Sequence, residues 1–414
     1  MSHYVLRRRT IIRKGMTVME QVMGGVTAAK GFMAAAAAAG IKYTDRTDMA
    51  MIYSTVPCVA AGTFTTNVVQ AAPVKWDKKM VSNSEFAQAV VVNSGIANAC
   101  TGEEGDAYCS RTAKKTAEVL KIPEDAVLVA STGVIGMQLP IEKICSGVEV
   151  LAEGLSDTKE AGNAAARAIM TTDTHEKEAA AVFTAGGRTV TIGGMCKGSG
   201  MIHPNMCTML SFLTTDLAIS KELLQEALRE DIMDTYNMVS VDGDTSTNDT
   251  VLLLANGLAG NPVITEKNED YRAFVEALRY VNTTLAKQMA GDGEGATALF
   301  EVSVTGAACK EDARTLSKAV ITSNLTKAAI YGHDANFGRF LCALGYSGVS
   351  FDPEKVELYF ESSAGKLLIY KDGAASDYDE EEATRILSQP EVTVLVDMKA
   401  GHETATAWGC DLTY

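Results

Sequence analysis

The chain is poor in the features that announce the commoner chemistries. Aromatic residues make up only 6% of it. Its nine cysteines (58, 100, 109, 145, 196, 207, 309, 342 and 410) are scattered and form no CxxC pair. Neither a disulfide framework nor a zinc ribbon is indicated, and a reducing compartment fits best. The five histidines (3, 175, 203, 333 and 402) form no HExxH or HxH cluster, so no metal is expected. No GxxxxGK[ST] phosphate loop and no GxSxG elbow occurs. Basic residues are outnumbered, 37 against 52, for a net charge of −15. That balance argues against a nucleic-acid partner, which calls for a basic face. The longest apolar run, GFMAAAAAAGI, falls short of the ~20 residues a membrane-spanning helix needs. The opening MSHYVLRRRTIIRKGM is basic and free of acids, but no apolar core follows it directly and no cleavage site is evident. A cytoplasmic protein is expected.

What remains is a chain of 414 residues, 47% hydrophobic, with strand-like and helix-like runs in alternation. Ala89-Val90-Val91-Val92 closes on Asn93-Ser94-Gly95, and Ala126-Val127-Leu128-Val129 closes on Ser131-Thr132-Gly133. Such runs read as buried strands delivering loops to one edge of a sheet. GDAYCSRTAKKTAEVLKI between them reads as a helix. Ser220 is placed as an N-cap, with Ile219 and Leu224 spaced for a hydrophobic staple. Leu223, Leu224, Ala227, Leu228 and Ile232 then recur at helical spacing, as do Tyr271, Phe274, Val275, Leu278 and Leu285. Residues 356–360 alternate like a half-exposed strand, and DYDEEEATRIL reads as the acidic first turn of a helix. The class is α/β or α+β. GDGEGA fits a dinucleotide turn only on paper, because helical TTLAKQMA precedes it where a strand is required. DGDTSTNDT resembles a calcium loop but has Thr247 at its sixth position and Leu253 at its twelfth, so that reading fails.

One stretch carries chemistry. In KGSGMIHPNMCTML a glycine loop passes through Pro204 to Cys207-Thr208 and an apolar, strand-like run. A threonine hydroxyl is a weak nucleophile until a base takes its proton. If the threonine becomes a chain terminus, its own α-amine is that base. The α-amine has a pKa of about 8, against about 10.4 for lysine, so much of it is neutral at cellular pH. The hydroxyl can make the terminus by attacking the preceding carbonyl, and Gly198, Gly200 and Pro204 suit a loop that holds that carbonyl close. A plain structural loop has the same composition.

KGSGMIHPNMCTML is similar to the autocleavage segment of the ornithine acetyltransferase (glutamate N-acetyltransferase) family of arginine biosynthesis. GGVTAAKGFMAAAAAAGIK, VPCVAAGTFTTN, VVNSGIANACTG, STGVIG, AIMTTDT, DGDTSTNDT, GDGEGAT and GHDANFGR resemble family blocks in family order, from about residue 24 to 410. The resemblance implies an α/β/β/α sandwich like that of the N-terminal-nucleophile hydrolases, with a smaller C-terminal α/β lobe. It implies self-cleavage between Cys207 and Thr208 into an α chain (1–207) and a β chain, the latter read as 208–300 followed by a lobe at 301–414. Thr208 would accept acetyl from N-acetylornithine and pass it to glutamate in a ping-pong cycle. Thr132 and Gly133 match the oxyanion hole. Thr171, Lys197, Thr208 and Glu294 match substrate positions, Lys197 suiting a carboxylate and Glu294 an ammonium. No cofactor is implied; some members also use acetyl-CoA as a co-substrate, which these residues do not decide. The expected assembly is a dimer of cleaved heterodimers, a heterotetramer. Relatives often carry alanine where this chain has Cys207. They also continue past a segment like WGCDLTY to an asparagine and a terminal threonine or serine. This sequence runs to Tyr414, so those substrate contacts are assigned to no residue here. The alternatives are an aminopeptidase or amidase on the related self-cleaving fold and an uncut binding module.

Overall fold

The structure is a computed structural model that describes residues 10–11, 19–203 and 209–413. In chain order its first strands are β1 (Thr10–Ile11), β2 (Met19–Val22), β3 (Phe32–Ala37), β4 (Met49–Phe64), β5 (Ala87–Asn93) and β6 (Val127–Ser131). There follow β7 (Lys177–Ala185), β8 (Arg188–Lys197), β9 (Leu210–Thr215), β10 (Val239–Ser240) and β11 (Thr250–Ala255). The last are β12 (Leu299–Ala307), β13 (Glu357–Ser362), β14 (Gly365–Lys371), β15 (Ala374–Ala375), β16 (Glu391–Asp397) and β17 (Glu403–Cys410). The helices are α1 (Ala72–Asn83), α2 (Gly102–Leu120), α3 (Ile141–Glu153), α4 (Lys159–Ala168) and α5 (Lys221–Ile232). The rest are α6 (Glu269–Gly291), α7 (Lys310–Ile321), α8 (Asn324–Tyr331), α9 (Phe337–Gly345) and α10 (Glu380–Leu387). No helix among the described residues is long and apolar enough to cross a membrane.

The expected mixed α/β class is what the chain adopts, in two compact units. The first comprises Met1–Lys197, Thr208–Asp231 and Ser246–Leu285; the second comprises Gly198–Cys207, Ile232–Thr245 and Ala286–Tyr414. In the first unit the strand order is β1-β2-β7-β8-β9-β11-β4-β5-β6, with β3 also on β4. The long β4 belongs to both halves of this sheet. Met49–Tyr53 pairs with β3 and β5, and Val59–Phe64 pairs with β11. The ladder with β5 shifts register between Tyr53 and Cys58, and Pro57 sits in that gap, where its missing N–H breaks no regular pairing.

The bend at this shift folds the two halves face to face. Met195, Leu210, Phe212, Leu252 and Leu254 from one half share a core with Ala50, Ile52, Val90, Val92 and Leu128 from the other. The outer face of the second half packs Met49, Met51 and Val91 on Ile144, Val148 and Leu151 of α3. Beside them, Ala89, Val127 and Val129 meet Cys109, Ala113 and Ala117 of α2. The outer face of the first half carries α6: the rings of Phe183 and Phe274 lie 6.3 Å apart, and the Cys196 thiol donates to the Leu285 carbonyl at 3.7 Å. The layer order is therefore α/β/β/α. β5 and β6 are buried at every position, which is why they read as unbroken apolar runs.

The helix signals in the sequence are realised. Ser220 Oγ accepts the Leu223 N–H at 3.3 Å at the start of α5, and Ile219 and Leu224 are both buried. Asp379 caps α10 by accepting the Glu381 N–H at 2.8 Å. TTLAKQMA forms the last turns of α6.

In the second unit the order is β10-β17-β12-β16-β13-β14-β15. Leu358 and Phe360 of β13 are buried while Glu357 and Tyr359 are half-buried, the expected alternation. Phe340 of α9 contacts the rings of Phe300 and Phe360 at 6.3 and 5.3 Å. Lys327 of α8 is buried and donates to the carbonyls of Ser240 (3.0 Å) and Cys410 (2.8 Å), tying β10 and β17 to the helix.

Phe212 is 1% exposed in the core between the two sheet halves. Phe212→Ala is expected to cost about 3–5 kcal/mol of stability, read as a lowered denaturant midpoint; an unchanged midpoint would mean the halves do not depend on that core.

Candidate active site

β5 and β6 run parallel with Asn93 opposite Ser131, so their following loops leave from the same edge. The loops are laced together. Thr132 N–H donates to the Asn93 carbonyl at 3.0 Å, Val134 N–H to Gly95 at 3.1 Å, and Ala97 N–H to Val134 at 2.9 Å. Gly133 adopts φ +128°, and a Cβ there would lie 2.7 Å from the Ile96 nitrogen and closer still to the Gly95 carbonyl. Both the backbone angle and the approach demand glycine. Thr132 is buried beside it.

The other half of the sheet ends at the same network. Lys197, the last residue of β8, pairs with Leu210 of β9, which pairs in turn with Thr250 of β11. One residue before Thr250, Asp249 accepts the Met209 N–H through Oδ1 at 3.1 Å. One residue earlier, Asn248 donates through Nδ2 to the Ser131 carbonyl at 2.9 Å and to the Ser131 hydroxyl at 3.2 Å. The Ser131 hydroxyl also accepts the Asn98 N–H at 2.9 Å. The Thr132-Gly133 loop is thereby joined through Asn248 and Asp249 to Met209.

A buried charge cluster completes the network. Asp173 accepts from Lys177 Nζ through Oδ1 at 2.7 Å, while Lys197 Nζ lies 3.9 Å from its Oδ2. The same Oδ2 accepts the Thr171 N–H at 3.0 Å, which fixes the TTDT turn. The side chains of Asp173 and Lys177 are wholly buried and that of Lys197 is 3% exposed. Burial lowers the pKa of Lys197, and Asp173 opposes the shift. Burial pushes the Asp249 carboxyl well up, against the Met209 N–H that favours its anion. Two lysines thus lie beside one buried carboxylate.

Of the residues singled out in the sequence, Thr132, Gly133, Thr171 and Lys197 lie in the first unit and belong to this network. Glu294 lies in the second unit. It is exposed, its N–H donates to the Ser199 carbonyl at 2.9 Å, and its carboxylate covers Gly200 so closely that a Cβ there would come within 2.6 Å of Oε1. In the same unit Asp242 accepts the N–H groups of Met201 and Ile202, the latter at 2.9 Å. Pro204, Cys207 and Thr208 lie outside the described residues. Asp173, Lys177, Asn248 and Asp249 were missed as individual residues. Asp173 lies in the TTDT block and Asn248 and Asp249 in NDT, with Lys177 three residues beyond TTDT, but burial is what separates these side chains from solvated ones.

An α/β/β/α sandwich with a glycine-dependent loop and a buried lysine–aspartate cluster at one sheet edge defines an α/β enzyme. The chain belongs to the ArgJ family, whose model matches residues 33–414. It is 54% identical to the arginine biosynthesis bifunctional protein ArgJ of Symbiobacterium thermophilum, over 96% of this chain and 97% of that one. It is 51% identical to the ArgJ of Thermotoga neapolitana, over 89% and 92%. Among solved structures, ornithine acetyltransferase from Mycobacterium tuberculosis complexed with ornithine is 36% identical with a TM-score of 0.42, covering 45% of this chain and 98% of that chain.

Asp173→Asn would leave two buried lysines without their carboxylate, at a cost of about 3–5 kcal/mol. Such lysines fold best unprotonated, so the unfolded state binds more protons and the loss is expected to shrink as pH rises from ~7 to ~9. Denaturation of wild type and variant across that range checks it; a loss independent of pH would remove the charge cluster from the account.

Proposed function

We propose that the chain is a self-cleaving acetyltransferase of arginine biosynthesis that moves acetyl from N-acetylornithine to glutamate through an acetyl-Thr208 intermediate. The observation that supports this reading is the polar network of the first unit: Asn248 binds Ser131, which precedes Thr132 and Gly133, Asp249 accepts the Met209 N–H, and Lys197 pairs with Leu210. Family membership over residues 33–414 supports the same chemistry.

Maturation begins when the Thr208 hydroxyl attacks the Cys207 carbonyl; the peptide C–N bond breaks to leave an ester and a free α-amine, and water then hydrolyses the ester to release the Cys207 carboxylate and the Thr208 hydroxyl. The products are chains 1–207 and 208–414, assembling as a dimer of heterodimers. In turnover the α-amine takes the hydroxyl proton as Thr208 attacks the acetyl carbonyl. The Thr132 hydroxyl and Gly133 N–H receive the developing oxyanion, each donor of this kind being worth about 2.7–4 kcal/mol. The proton passes to the departing amine of ornithine, and the amine of glutamate then attacks the acetyl ester. Lys197 takes the substrate α-carboxylate, Thr171 lines the same pocket, and Glu294 takes the side-chain ammonium of ornithine. The reaction needs no cofactor, and the soluble substrates suit the cytoplasm.

Incubating purified protein with N-acetylornithine and glutamate tests the function. N-acetylglutamate and ornithine in equal amounts are expected; release of acetate in their place would make it an amidase. Fragments ending at Cys207 and beginning at Thr208 are expected on a gel, and Thr208→Ala is expected to leave the chain whole and inactive. Cleavage of that variant at the same bond would assign the attack to another residue.

Lys197→Met is expected to raise KM about ten- to hundredfold, the loss of one charge-assisted contact. Because the Lys197 pKa is lowered, the wild-type KM should climb as pH rises through it, and the variant should lack that climb. An unchanged KM in the variant would place the carboxylate elsewhere.

A further inference from the structure

β6 is the last strand of its sheet, so one side of its backbone has no neighbouring strand. Val127, Val129 and Ser131 face that side, and three side chains take the place of a strand there. Trp76 Nε1 donates to the Val127 carbonyl at 2.9 Å, and Asp77 Oδ1 accepts the Val129 N–H at 2.9 Å, both from α1. The row ends with Asn248, whose Nδ2 donates to the Ser131 carbonyl at 2.9 Å.

Asn248 is buried, and its amide is engaged at both ends. Nδ2 also donates to the Ser131 hydroxyl at 3.2 Å, and Oδ1 accepts the Thr247 hydroxyl at 2.7 Å. A carbonyl only accepts, so the nitrogen must face Ser131. The segment is itself anchored. Thr65 Oγ1 donates to the Ser246 carbonyl at 2.7 Å, and the Ala71 N–H donates to the Thr247 carbonyl at 3.0 Å.

The peptide joining Ser131 to Thr132 is held from opposite sides, its carbonyl by Asn248 and its N–H by the Asn93 carbonyl at 3.0 Å. A peptide unit is planar, so these two bonds fix the plane from which Thr132 projects. One residue after Gly133, the Val134 N–H is tied to the Gly95 carbonyl at 3.1 Å. Between these anchors, the Thr132 hydroxyl and the Gly133 N–H have no hydrogen-bond partner among the described residues. Two donors stay open on a loop that is pinned on both flanks.

Resting on the acetyl-transfer reading, we propose that Asn248 is a positioning residue for acetyl transfer: by holding the Ser131 carbonyl it sets the Thr132 hydroxyl and the Gly133 N–H where the developing oxyanion forms. Its own amide is spent on Ser131 and Thr247, so it acts through the loop. Preorganised donors act on the transition state, so losing Asn248 lowers kcat and kcat/KM together and spares KM.

Three variants test it, with rates taken per folded molecule. Asn248→Leu keeps a branched side chain of similar size but has no donor. It is expected to lower kcat about ten- to hundredfold, with the KM for N-acetylornithine within about threefold of wild type. Asn248→Ala leaves the same carbonyl unpaired and is expected to lose as much; either variant that folds decides. Trp76→Phe removes the donor to Val127 on the same edge. It is expected to lower the denaturant midpoint while kcat stays within about threefold of wild type. A loss confined to KM, a Trp76→Phe variant as slow as those at Asn248, or failure of both Asn248 variants to fold would each overturn the proposal. Asn248 variants that equal an active wild type overturn this inference alone, whereas a wild type that transfers no acetyl overturns the acetyl-transfer reading with it.

Discussion

Two lysines lie beside one aspartate in the buried interior of the first unit, and much of the site depends on that cluster. Lys177 is paired at 2.7 Å and Lys197 is held at the edge of ion-pair range, 3.9 Å. Removing a lysine ammonium from water is costly, and Asp173 offsets the cost for Lys177 far more fully than for Lys197. Lys197 keeps the longer of the two ion pairs, and the proposed role of binding a substrate carboxylate rests on that weaker pairing. The strand ladder keeps it there: β8 ends on Lys197 because Leu210 opposite begins β9, and β9 begins there because Asp249 holds the amide of Met209.

The scaffold explains how residues far apart in the chain reach one edge. β4 serves both halves of the sheet and bends between them, so the parallel pair β5–β6 and the β8–β9–β11 ladder share a core. Asn248 then spans from one set of strands to the other by binding Ser131. Gly133 has no substitute in this arrangement, since any side chain would occupy the space of the Gly95–Ile96 peptide.

Much of this was legible in the sequence, for physical reasons that differ by element. β5 and β6 were readable because strands covered on both faces are continuous apolar runs. α5, α6 and α10 were readable from spacing and caps. The alanine run at β3 offered no strand signal, because alanine favours helices and the selecting force is tertiary. Its small side chains let Ala34 join the core between the halves while Ala35 and Ala37 meet the α3 face. β4 was hidden by Pro57, whose harmlessness depends on the register shift around it. Thr132, Gly133, Thr171 and Lys197 came from family blocks, whereas Asp173, Lys177 and Asp249 became visible only through burial. An aspartate in a polar run reads as solvated until the strands that cover it are known.

The account as a whole requires that acetyl rest covalently on Thr208 between two substrates. The most direct measurement is the mass of the peptide beginning Thr208-Met209-Leu210 after mixing the cleaved protein with N-acetylornithine and no glutamate. The account predicts a gain of one acetyl group on that peptide, bound as a base-labile ester and lost on adding glutamate. A peptide that never carries acetyl while N-acetylglutamate accumulates would contradict it.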